Sequence, residues 1–250
     1  MGGADVTSLS MWRLAVRCLL VVVATVGLVI AVLCYPHPLF PYRIQTGRLE
    51  LHSDTPFDLE RAKSVLADVD GRISKSVLDH RNGVHRIFVA NTNWRARLVF
   101  LWNFGAGGVN YGTLTRNVFI KKSDIDGNAV LTSRGEPVTP PRTLAYFAAH
   151  EIGHSLVEEH IGAIANWTLP TWIKEGLCDY IAFGGDVDID ALTVSLRSGD
   201  VTLDPQKSGH YALYRLVVAY YLDRRKWTLD QLLGSKIPLL AAKEELLASH

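Results

Sequence analysis

Hydrophobic and polar positions are distributed along this chain in three ways. Residues 18–35 read CLLVVVATVGLVIAVLCY, an apolar run with no charged side chain. Leu14, Ala15 and Val16 extend it once Arg17 directs its aliphatic stem toward lipid headgroups. The run then approaches the roughly 20 residues that cross a hydrocarbon core as a helix. A cleaved signal peptide would have an apolar region of about 7–15 residues ending in small side chains. This run is longer, ends Ala-Val-Leu-Cys-Tyr-Pro, and has a bulky Leu33 where a lipid-modified Cys34 would need a small residue before it. A membrane anchor over residues 14–35 is expected. Arg13 and Arg17 on its N-terminal side predict that residues 1–13 stay in the cytoplasm and all that follows lies outside it.

A mixed pattern follows. Pro36, Pro38 and Pro41 suggest a short stiff linker, residues 36–41, before a folded domain over residues 42–250. Thr55 and Pro56 look like a cap and first position of a helix. Leu59, Ala62, Val65, Leu66, Val69, Ile73 and Val77 continue it on one face. RIFVA (86–90) reads as a buried strand, and residues 94–102, apolar with two arginines, fit either state. FGAGGVNYG (104–112) reads as a flexible or cleft-lining loop, because no GK[ST] follows it and no helix opens there. TLTRNVFIK (113–121) is strand-like. Asp124 to Asn128 is an ordinary turn, since Gly135 stands where a calcium loop needs its glutamate.

The third pattern is helical. RTLAYFAAHEIGHSLVEEH (142–160) predicts a long buried helix after Thr139-Pro140-Pro141. Residues 169–180 predict a second helix, HYALYRLVVAYYLDRR (210–225) a third, and a last segment starts at Leu229. The fold class expected is α+β. A mixed sheet with helices precedes the long helix, and a mainly helical part follows it.

Composition narrows the function. Hydrophobic residues make up 48% and charged residues 20%, which supports a packed core and excludes wholesale disorder. Lys+Arg number 26 against 25 Asp+Glu, a net charge of +1, so broad nucleic-acid binding is not expected. Of three cysteines, Cys18 and Cys34 lie in or beside the apolar run, leaving Cys178 alone in the domain. No internal disulfide and no cysteine-rich zinc knuckle can form there. Cys178 is read as a packing residue. The sequence assigns no oligomeric state.

The chemistry concentrates in the long helix. His150-Glu151-Ile152-Gly153-His154 is an H-E-x-x-H match. Positions four apart share a helix face, so both imidazoles can reach one metal, and Glu151 can meet a water bound to it. A third ligand is required, and two residues compete for it. His160 has the metzincin spacing, but the glycine of that pattern is Val157 here. The methionine it needs downstream is also missing, because Met1 and Met11 both precede the domain. Glu175 lies in LPTWIKEGLCDY (169–180), an amphipathic segment in which Asp179 could accept a ring N–H from a ligand histidine.

H-E-x-x-H followed by W-x-x-E-G-x-x-x-Y resembles the gluzincin branch of zinc metallopeptidases, the peptidase MA clan. The resemblance implies a zincin-like domain with one Zn2+ held by His150, His154 and Glu175. It implies Glu151 as catalytic base, Asp179 orienting the first ligand histidine, and a peptide or protein substrate along the TLTRNVFIK strand. The tetrahedral oxyanion would need a donor beyond the metal, for which Tyr180, His210, Tyr211 and Tyr214 are available. Two rivals remain from other classes: a non-catalytic zinc site that only staples the fold, and a membrane-tethered interaction module with no metal.

Overall fold

The computed structural model describes residues 5–78 and 83–249 of the chain. The expected cytoplasmic segment 1–13 therefore falls partly outside the described residues. The apolar run forms one helix, α1 (Asp5–Cys34), within which Met11–Cys34 is long and apolar enough to cross a membrane. At 1.5 Å per residue this stretch reaches about 36 Å, enough for a hydrocarbon core of about 30 Å.

The domain is mixed α and β. Strands β1 (Tyr42–Thr46) and β2 (Leu49–Ser53) form an antiparallel hairpin. Helix α2 (Leu59–Ile73) carries the chain to β3 (His85–Ala90), parallel to β2. Helix α3 (Asn93–Phe100) follows, then β4 (Gly108–Asn110) and β5 (Asn117–Lys121). The sheet order is β1-β2-β3-β5-β4, with β5 parallel to β3 and β4 antiparallel at the edge. A small hairpin, β6 (Ser123–Asp124) and β7 (Ala129–Val130), leads into the helical half.

Alternation along the strands explains why the sheet is covered on both faces. Leu49, Leu51, Ile87, Val89, Val118 and Ile120 join α2 and the long helix in the main core. Phe88, Ala90, Phe119 and Val109 point the other way and form a second core with Val99 and Phe100 of α3. Leu33 of α1 and Phe40 complete that second core. Leu33 is 2% exposed and Phe40 1%. Asn117 Nδ2 donates to the carbonyls of Leu33 at 2.8 Å and Cys34 at 3.2 Å. Residues 36–41 are thus not a free spacer. Apolar burial of Phe40 and hydrogen bonding at the helix end fasten α1 to the sheet.

The second half is helical: α4 (Leu144–Ile161), α5 (Ala163–Thr168), α6 (Thr171–Ala182), α7 (Ile189–Arg197), α8 (Pro205–Ser208) and α9 (Ala212–Ala219). The chain continues from α9 through a π-helical turn, Tyr220–Arg224, to α10 (Leu229–Gly234) and α11 (Leu239–Ala248). Thr143 caps α4 by accepting the Tyr146 N–H at 3.2 Å.

Several boundaries differ from expectation. Helix α2 starts at Leu59, because Asp58 rather than Thr55 is the cap and accepts the Arg61 N–H at 2.9 Å. The helix ends at Ile73, before Val77. Residues 94–102 resolve as α3, which stops at Leu101, where φ is +52°. Part of the glycine-rich stretch is not a loop but the edge strand β4. Strand β5 occupies only 117–121 and lies inside the sheet, so the edge beside α4 belongs to β4.

Phe40→Ala should destabilise the full chain by about 3–5 kcal/mol through the cavity it leaves. Denaturant unfolding in detergent measures this, and a change below about 1 kcal/mol would show that the anchor is not docked as described.

Candidate metal centre

Helix α4 supplies two imidazoles from one face, and α6 supplies a carboxylate that meets them. His150 Nε2 lies 3.3 Å and His154 Nε2 3.6 Å from the same oxygen, Glu175 Oε2. One ligand atom from each of the three residues falls within 4.8 Å of the others. A tetrahedral ion with bonds of about 2.0–2.2 Å has edges of about 3.3–3.6 Å. The two measured separations match such edges, and two imidazoles with one carboxylate are a donor set that suits zinc. The residues present therefore fit the ion.

The outer ring nitrogens are supported differently. His150 Nδ1 is buried with no hydrogen-bond partner, and Asp179 Oδ1 stands 3.9 Å away. Asp179 is in place to face this nitrogen, as expected, but its oxygens are engaged elsewhere. Oδ1 accepts from the Tyr146 hydroxyl and Oδ2 from Arg215 Nη1 at 2.8 Å. His154 Nδ1 lies 3.3 Å from Cys178 Sγ. Were Nε2 to hold a metal, Nδ1 would carry the proton and the sulfur would accept it. Cys178 is fully buried and packs against this ring, as expected.

The approach of α6 is made possible by glycine on both sides. A Cβ on Gly153 would stand 3.2 Å from Cys178 Sγ and 3.3 Å from its Cα. A Cβ on Gly176 would stand 2.6 Å from the Tyr214 carbonyl oxygen of α9. Glu175 is thus carried by a helix held between α4 and α9 at near-backbone contact. At the start of α9, Tyr211 stacks on His150, ring centroids 5.7 Å apart and 10° from parallel.

Burial shapes the charges. Glu151 is 8% exposed, and burial pushes its carboxyl up to about 7, aided by the Glu175 charge and opposed by His150. Burial lowers His154 to about 4, so its ring is neutral and ready to ligate. Burial opposes ionisation of Glu175, but the His150 hydrogen bond and the two histidine charges outweigh it and hold the carboxyl at about 2. Burial acts on His150 in the lowering direction, yet its hydrogen bond to Glu175 and the surrounding carboxylates raise it overall. Metal binding would then release a proton from this ring.

These residues open into a cleft of about 830 Å³. Glu151, His150, His154, Glu175, His210 and Tyr211 all line it, together with Gly108 of β4. Gly108 lets the edge strand pass close beneath the base: a Cβ there would stand 2.7 Å from Glu151 Cγ and 2.9 Å from Oε1. The glycine-rich stretch thus lines the cleft, as one of the two expected readings had it.

His210 and Tyr211 are brought to the site, and Tyr180 is not. Tyr180 follows Glu175 by five positions, about 140° around the helix, and its hydroxyl donates to Asp223 at 2.9 Å. His160 pairs with Asp230 at 2.7 Å and takes no part in the cluster. Three contributors were not singled out from the sequence: Tyr146, Arg215 and Arg142. Arg142 lines the cleft and hydrogen-bonds to His210 Nε2. Tyr146 had a readable signal, since it precedes His150 by four residues on the same face. A second group, His37, Glu50 and His52, is also close enough to share an ion. There, however, Arg86 Nε holds Glu50 at 3.0 Å, so the group is an ion-pair network.

No protein-family profile matches this chain, and no curated protein matches it in sequence.

Gly176→Ala should cost about 1–3 kcal/mol by forcing α6 from α9. Gly71→Ala in α2, where a Cβ meets nothing within 4 Å, should instead stabilise by about 0.5–1 kcal/mol. Thermal melts of both variants check the pair, and equal effects would contradict the close crossing.

Proposed function

We propose that the chain is a membrane-anchored zinc metallopeptidase of gluzincin type. The observation that carries this reading is the convergence of two Nε2 atoms and one carboxylate oxygen beside a second carboxylate that opens on a cleft. Zinc held there would polarise a scissile carbonyl and acidify a water. Glu151, beside the ligand group on the cleft wall, is placed to take a proton from such a water and return it to the leaving amine. Tyr211, His210 and Arg142 are the donors on the cleft wall from which oxyanion stabilisation would come. Strand β4, at the sheet edge, offers unpaired backbone groups to an extended peptide. Arg13 and Arg17 favour an extracytoplasmic domain. Burial of Leu33 in the domain core favours an anchor that is retained.

The stapling reading is less favoured for two reasons. A structural zinc fills all four positions with protein ligands, whereas this group has three members among the described residues. Cys178, on the same helix as Glu175, faces the opposite ring nitrogen of His154. A structural site also has no use for a buried carboxylate poised near neutrality.

The test uses the full chain in detergent, zinc-loaded, against a quenched-fluorescent peptide library. Glu151→Gln should lower hydrolysis by about 10²–10⁴-fold while zinc content stays unchanged. Gly108→Ala should lower it by about 10²-fold by displacing Glu151, and should also cost about 1–3 kcal/mol of stability, because the added carbon would stand 2.9 Å from Ile120 in the core. Wild-type rates in Glu151→Gln would contradict the proposed base.

A further inference from the structure

The last turns of α1 do not stand clear of the domain. Val29 and Val32 pack with Leu33 against the second core, beside Ala96, Val99 and Phe100 of α3. An apolar stretch of 24 residues, Met11–Cys34, spans the hydrocarbon with little to spare. Its final turns must therefore lie where hydrocarbon gives way to headgroups. Whatever packs on those turns is held at the same level.

What packs there is apolar on its outer side as well. Trp102 is 80% exposed, Trp94 53% and Phe104 51%. Leu114 and Tyr35 are exposed too, and Cys34 Sγ lies 3.7 Å from the Leu114 carbonyl oxygen, so the helix end and this loop touch. Tyr111 ties the loop to α3 through its hydroxyl, which donates to Val99 O at 2.9 Å. Two basic residues follow Trp94 on the same helix. Arg97 is exposed, whereas Arg95 stacks over Trp94 at 4.4 Å, is only 21% exposed and faces Asp54 at 3.8 Å. Exposed tryptophan with an exposed arginine beside it is the composition of a membrane interface, where the rings sit among headgroups and the cation meets lipid phosphate.

We propose that residues 94–114 form a lipid-facing surface, seated in the headgroup region of the bilayer that α1 crosses. The same residues form one wall of the cleft. Asn103, Gly105, Ala106, Thr113 and Leu114 all line it. The cleft therefore opens at the membrane surface, a few residues from the anchor, and not into bulk solvent. Lipid is the favoured occupant because the surface is continuous with the membrane helix. A protein docked on it would have to displace the bilayer to which the anchor holds it.

The test is tryptophan quenching in the full chain reconstituted into phosphatidylcholine–phosphatidylglycerol vesicles brominated near the glycerol end of the acyl chains. Trp12 lies within the anchor, so differences between variants are read. Trp102→Phe and Trp94→Phe should each remove a quenched component, and Leu114→Trp should add one. Trp167→Phe, which alters an exposed residue of α5, should leave the quenched amplitude (the emission lost to bromination) unchanged. All of the substituted residues are solvent-exposed, so the fold should survive, and circular dichroism checks it. If the quenched amplitude is unaltered by Trp102→Phe, Trp94→Phe and Leu114→Trp, the surface faces water or a partner protein and the proposal fails. The readout needs neither metal nor hydrolysis, so it stands or falls separately from the peptidase reading.

Discussion

The crossing of α6 over α4 determines where the third ligand can stand. Two histidines one turn apart define only a line of approach for a metal, because both come from one rigid helix. The carboxylate must arrive from another element, and it must arrive at a distance set by bonds of about 2 Å. Gly153 permits that distance by leaving out a β-carbon that would hold α4 off α6, and Gly176 lets α9 close on the opposite side of α6. Asp179, fixed by Tyr146 from α4 and Arg215 from α9, then locks the rotation of α6 from one turn further on. Position comes from the absence of side chain at two points and from a buried charge at a third.

The same crossing concentrates electrostatic stress. Glu151, Glu175 and Asp179 lie close together beside two histidines, and burial opposes the charge on Glu151 and Glu175. The balance comes out differently for these two. Glu175 is held ionised by the rings it faces, whereas Glu151 has no direct cationic partner and rises toward neutrality. Two carboxylates in one cleft are thereby separated in acidity, which is the condition for one to bind a cation and the other to carry protons.

Much of this was legible in the sequence, where periodicity and local chemistry agree. The apolar run, the spacing in α2, the H-E-x-x-H helix and the amphipathic segment around Glu175 all announce themselves. Position 55 misled because Thr55, Pro56 and Asp58 are competing start signals within four residues. Strand β4 was hidden because glycine carries no strand propensity, and only the sheet edge beside α4 gives those residues a partner. Tyr180 looked like a site residue by proximity along the chain, although its angle around the helix turns it away. The docking of Leu33 and Phe40, the Cys178 contact with His154 and the roles of Arg142 and Arg215 join residues far apart in sequence. No local pattern encodes such pairs. The docking also alters experimental practice, since a fragment cut after residue 41 loses a buried aromatic side chain.

Zinc per chain, measured on the full-length protein in detergent after exhaustive dialysis, tests the central claim most directly. Wild type should retain one zinc, Glu175→Ala should lose it, and His160→Ala should keep it. A folded wild-type chain that holds no zinc, or zinc retention that is indifferent to Glu175, would contradict the centre described above.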